Sequence, residues 1–130
     1  PTPIDNIQAL TDGYNFKLEE GRTLTSLYSP GHAKHHYTFY DNISKTIFMG
    51  DTLGLIYPHG NFVQPNLPPP DFNRETLIDT LENIASLELE YVAIAHFGIH
   101  SNPYELINNA IDTYNFFYAY SDFCVEHNMV

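Results

Sequence analysis

Cysteine, tryptophan and positive charge are the scarce components of this 130-residue chain, which has one cysteine, Cys124, no tryptophan, and 5 Lys and Arg against 16 Asp and Glu. A lone thiol cannot close an internal disulfide, so nothing points to an oxidising compartment and a cytoplasmic location is expected. The formal net charge of −11 repels phosphate backbones and anionic headgroups, and no Lys/Arg stripe overrides it. This argues against nucleic acid and membrane partners. No apolar run reaches the roughly eighteen residues of a membrane span, and no secretory leader is recognisable. Apolar residues are plentiful, with 43% hydrophobic and 15% aromatic, which suits a packed core rather than a disordered chain. The length predicts a single domain over residues 1–130.

Prolines and turn pairs organise the chain. Gln64 to Pro70 reads QPNLPPP, which continues neither a helix nor a central strand because proline lacks the donor. Before it, the pairs Asp12-Gly13, Glu20-Gly21 and Asp41-Asn42 bound short β-branched and aromatic runs. Strands are predicted at Tyr14 to Leu18, Thr23 to Tyr28, His36 to Tyr40 and Ile47 to Met49. After it, Asn73 caps a helix whose apolar face is Leu77, Ile78, Leu81, Ile84 and Ala85. A second helix starts with Asn102 as cap, Pro103 in the first helical position and Glu105 three residues after the cap. Its stripe, Ile107, Ala110, Ile111, Tyr114, Phe117 and Tyr118, reads as core packing. Tyr91 to Ala95, apolar and too short for a helix, reads as a buried strand. The sum is a mixed, layered α+β domain.

Seven histidines are many for this length, and three fall within Ser29-Pro30-Gly31-His32-Ala33-Lys34-His35-His36. Crowding alone fits solvated or packed histidines equally well. Position tells more. His32 follows a predicted strand through a Pro-Gly turn, Asp51 ends the Ile47 to Met49 strand through Gly50, and His96 ends the Tyr91 to Ala95 strand. Loops at strand ends are where rigid scaffolds present functional groups. Imidazole, carboxylate and imidazole released from three strands of one sheet suit a borderline cation such as Zn, Mn or Fe better than Ca or Mg.

The segments SPGHAKHHYTFYD, IFMGDTLG and AHFG, in this order, resemble the second half of the metallo-β-lactamase superfamily, in particular its hydroxyacylglutathione hydrolase-like members. That family places a PGH turn, a GD after a buried strand and a final His after another buried strand. The resemblance covers roughly residues 12 to 100. It implies part of a four-layer αββα sandwich and a site for two divalent metal ions, most often zinc, with iron or manganese as alternatives. On matching positions it implies that His32 ligates the first metal, Asp51 bridges both, and His96 ligates the second. His36, four residues after His32, would support the site without ligating. His35 stands where the family often has Gly and is expected to be structural or to support the site without ligating. His59, in the Tyr57 to Gly60 loop, and His100 have no motif support, and His127 has no expected role.

The family's remaining ligands come from a His-x-His-x-Asp-His run, and no such run occurs in this sequence. With Pro1 in place of methionine, the expectation is the C-terminal half of a longer domain, inactive by itself. The implied activity is hydrolysis of a small ester, thioester or lactone-like molecule by a metal-activated hydroxide, with Asp51 the catalytic carboxylate holding both ions. The Leu53 to Leu67 loop would line an apolar substrate pocket. Two alternatives stand beside it: a di-iron oxidoreductase of the same fold, and a non-catalytic, partner-binding remnant. An exposed sheet face in a half-domain further predicts a homo-oligomer or association with the missing N-terminal half.

Overall fold

A computed structural model describes residues 8–57, 62–67, 70–96 and 98–129. The N-terminal runs form an antiparallel meander in which Glu20-Gly21 and Asp41-Asn42 make two of the reversals and the longer segment 29–36 makes the third. Asn15–Glu19 (β1) pairs with Arg22–Tyr28 (β2), β2 with Tyr37–Asp41 (β3), and β3 with Thr46–Gly50 (β4). The proline-rich segment and helix Arg74–Ala85 (α1) then carry the chain back so that Tyr91–Ile94 (β5) joins β4 in parallel, as a crossover connection permits. Gly98–His100 (β6) adds an antiparallel edge, and Pro103–Glu126 (α2) closes the described chain. The six strands lie side by side in chain order.

The period of two in β4 decides which side is packed. Ile47 and Met49 are fully buried while Phe48 between them is 41% exposed. Ile47 and Met49 join Val92 and Ile94 of β5 in one core with Leu77, Leu81 and Ile84 of α1 and Leu106, Ile107, Ala110 and Tyr114 of α2. Each fully buried Leu or Ile contributes roughly 1.5–3 kcal/mol of transfer free energy. The other face of the sheet leaves Phe48 and Ile99 exposed. Among the described residues no helix is long and apolar enough to cross a membrane.

The predicted faces of α1 and the cap at Asn73 are present, with Asn73 Oδ1 accepting the Thr76 N–H at 2.9 Å. Two sequence expectations need correction, and one element was not expected. Asn102 makes no side-chain bond to the α2 backbone. Its Nδ2 donates instead to Glu105 Oε2 at 3.1 Å, so the pair bonds side chain to side chain. Phe117 and Tyr118 are 41% and 45% exposed: α2 is 24 residues long, but its buried positions end at Tyr114, so the helix outruns the sheet beneath it. The unexpected element is β6. Three residues carry no periodic signal, and pairing with the free edge of β5 supplies what the sequence pattern does not.

Candidate metal centre

The sheet brings three chain segments to one edge. β2, β4 and β5 all run towards it, and β3 leaves from it. The loop 29–36 between β2 and β3 carries His32 and His36 and is tied at its base, Ser29 N–H donating to His36 O at 3.0 Å. The hydroxyls of Ser29 and Thr38 lie 2.8 Å apart. Its tip is fastened to α1. Thr80 Oγ1 donates to Pro30 O at 2.8 Å, and Asn73 N–H donates to Gly31 O at 2.8 Å. Gly31 at φ +122° lies so close to the helix that an added Cβ would fall 2.4 Å from Leu77 Cα, so only glycine seats the turn.

β4 and β5 end side by side, with Gly50 opposite Ile94 after a register shift and Ala95 N–H donating to Gly50 O at 3.0 Å. The residues that follow, Asp51 and His96, therefore emerge together. Asp51 stands between the two candidate imidazoles, its Oδ1 3.2 Å from His96 Nε2 and its Oδ2 3.9 Å from His32 Nε2. His32 is buried, whereas His96 is half exposed. Oδ1 is buried without a hydrogen bond, so its approach to His96 satisfies ion-pair distance and not hydrogen-bond alignment. A buried carboxylate oxygen beside one imidazole nitrogen with no proton aligned to it, its partner oxygen turned to a second imidazole, fits a divalent cation chemically. The three meet as two pairs sharing Asp51. Among the described residues no three His, Cys, Asp or Glu side chains form a set that could hold an ion by itself.

His36 lies beside this centre, its ring 5.7 Å from that of His32 and edge-on to it. Its Nδ1 is 3.0 Å from Thr52 Oγ1. Burial pushes the His36 imidazole below its ordinary value, and His32 adds to the effect. A neutral ring in this place adds no charge to a cation site. His35 is exposed. His100 lies in β6, half-buried, and its Nε2 is buried without a hydrogen-bond partner. His127 stacks on Phe123 at 4.1 Å beyond the core. His59 lies outside the described residues.

The Leu53 to Leu67 loop divides in two. Leu53, Ile56 and Val63 are core, while Tyr57, Phe62 and Leu67 are about half exposed. Leu67 borders an apolar groove of about 480 Å³ with Phe72, Tyr114, Phe117 and Tyr118.

The model of the metallo-beta-lactamase superfamily matches residues 1–96. The chain belongs to the metallo-beta-lactamase superfamily. Among curated relatives it is 28% identical over 110 residues to a protein named atrochrysone carboxyl ACP thioesterase from Aspergillus fumigatus, covering 85% of this chain and 31% of that one. Among solved structures, an archaeal superfamily protein from Sulfolobus tokodaii is 28% identical with TM-score 0.70, covering 83% of this chain and 39% of that chain. A family member from Thermus thermophilus shares the fold at 24% identity and TM-score 0.68, covering 85% of this chain and 36% of that chain. The chain thus spans about a third of the curated relative it matches.

Membership gives the α+β arrangement of sheet and helices its family context and makes divalent metal binding a property of the chain's relatives. Three residues near the centre carried no signal in the sequence. Thr52 follows Asp51 without any motif of its own, Asn66 lies in the proline-rich loop, and Tyr114 read as an ordinary core residue. Burial pushes the Tyr114 phenol up to about 12, and the Asp51 charge adds to the rise.

Proposed function

We propose that this chain supplies the C-terminal, ligand-bearing half of a metal-dependent hydrolase that cleaves a small ester or thioester in the cytoplasm. The observation that carries the reading is Asp51 between His32 and His96 with a buried, unbonded carboxylate oxygen. In this reading His32 would hold one divalent ion, His96 a second, and Asp51 both, the remaining ligands coming from outside this chain. The ions, zinc first among the candidates, would lower the pKa of a bound water to about 7 and polarise the substrate carbonyl. Asp51 offsets the positive charge and fixes the spacing of the imidazoles. His36, held against Thr52 and kept neutral by burial, braces the His32 side of the centre. The thioesterase name of the fungal relative supports a thioester, and the groove beside Leu67 is apolar enough for the acyl part.

The test is hydrolysis of a neutral acyl thioester by the full-length protein, followed by free-thiol release with and without added zinc. Zinc-dependent turnover is expected. A full-length protein that binds no divalent metal would favour a non-catalytic remnant.

The sheet face carrying Phe48 and Ile99 belongs, in the same reading, under the remainder of the sandwich. Exposed apolar sheet surface seeks a cover, so this chain alone is expected to self-associate. Sedimentation velocity showing a clean monomer at high concentration would count against it.

A further inference from the structure

The main chain of Asn66 and the hydroxyl of Tyr114 have no part in the chemistry above, yet Asn66 joins that hydroxyl to His32. Tyr114 is 2% exposed, and its ring stacks on Phe72 with centroids 5.8 Å apart. Phenylalanine would fill that space equally well, and a buried hydroxyl is costly unless it is bonded. It is bonded to the loop, Asn66 N–H donating to the Tyr114 hydroxyl at 3.2 Å. A second tie from the same helix lies one turn away, where Val63 N–H donates to Asn109 Oδ1 at 3.3 Å. Pro65, just before Asn66, fixes its own φ and stiffens the loop between the two ties.

The carbonyl of the same residue 66 faces His32, with Nδ1 3.4 Å from Asn66 O. A carbonyl oxygen can only accept, so this contact requires the proton on Nδ1. In the neutral ring the Nε2 atom, 3.9 Å from Asp51 Oδ2, is then the atom with a free lone pair, as a metal ligand needs. The loop thus reaches His32 from the helix side, and at residue 66 itself the helix holds it by the Tyr114 hydroxyl.

We propose that Tyr114 is a positioning residue for His32: by gripping residue 66 it holds the Asn66 carbonyl against Nδ1 and so sets the ring orientation and tautomer that turn Nε2 towards Asp51. The consequence for metal binding rests on the reading of His32 as a ligand, whereas the tautomer does not.

Ring-nitrogen NMR on the metal-free full chain tests it. In the unmodified protein His32 is expected as the Nδ1–H tautomer. Tyr114→Phe, which keeps the ring and its stack on Phe72, is expected to give a mixture of tautomers. The same substitution should weaken zinc affinity about 10- to 100-fold in competition with a chromophoric chelator. Phe72→Leu, which loosens the stack and keeps the hydroxyl, should lower the melting temperature and leave the tautomer unchanged. An Nε2–H tautomer in the unmodified protein overturns the proposal, and that measurement stands even where Tyr114→Phe fails to fold. Tyr114→Phe with unmodified ring signals and zinc affinity overturns it as well. Absence of zinc binding in the unmodified protein, with His32 in the Nδ1–H form, defeats the hydrolase reading and leaves the positioning role in place.

Discussion

The ring of His36 occupies the space that a side chain on Gly50 would need, since a Cβ built there would lie 2.7 Å from His36 Nε2. Gly50 also has φ +54°, a conformation L side chains adopt at a cost. Gly50→Ala is therefore expected to lose about 1–3 kcal/mol from the backbone alone and to push His36 off Thr52. Urea unfolding reads the first effect and the His36 ring signals the second. A variant with unchanged midpoint and ring signals would show that the close approach has no role.

Gly31→Ala should be worse. Its added methyl would meet backbone atoms of Leu77, which cannot rotate away, where Gly50→Ala meets only a ring. The loop carrying His32 would lift from α1 and lose the Asn73 and Thr80 bonds to it. A loss above about 3 kcal/mol is expected, read as a fall in the urea midpoint. A loss no larger than that of Gly50→Ala would mean that the turn is not seated as described.

On the proposed hydrolase reading, Asp51→Ala in the full-length protein should abolish hydrolysis and reduce metal content, because no neutral group would offset the repulsion between two cations. His36→Ala should be milder, about 10- to 100-fold in affinity or rate. Metal analysis and thiol-release assays on both variants give the contrast. The reverse order of severity would move the centre to the His35-His36 pair.

Acid stability should depend on Asp41. Arg22 holds this buried carboxylate from both Nε, at 3.0 Å, and Nη2, at 2.5 Å. These bonds, with the N–H groups of Ile43 and Ser44, lower it from the ordinary 3.8 to about 2 against the opposing effect of burial. A carboxyl depressed in the folded state stabilises the fold above its unfolded value and stops doing so as pH falls through its folded value. The denaturation midpoint should therefore drop between pH 3.8 and about 2, and Asp41→Asn should flatten that limb. An acid limb equally steep in the variant would assign it to other carboxylates.

Local chemistry wrote most of the architecture into the sequence. The turn pairs at Glu20-Gly21 and Asp41-Asn42 each reverse the chain between paired strands where their residues favour it, and Asp12-Gly13 turns it into the first strand. The apolar spacing of Leu77, Leu81 and Ile84 marks the face that α1 buries. The order His32, Asp51, His96 at strand ends was legible for the same reason, since a strand's end and the residue beyond it are local facts. That Asp51 lies between the two imidazoles, with one oxygen buried and unbonded, was not local. It follows from the parallel pairing of β4 with β5 and from the fastening of the 29–36 loop to α1, contacts between residues far apart in the chain. Tyr114 marks the same boundary. The sequence determined that it is a core residue, from its place in a helical stripe. Only the tertiary structure put its hydroxyl under Asn66 and, through that residue, against His32, because a hydrogen bond between a helix and a distant loop leaves no periodicity to read.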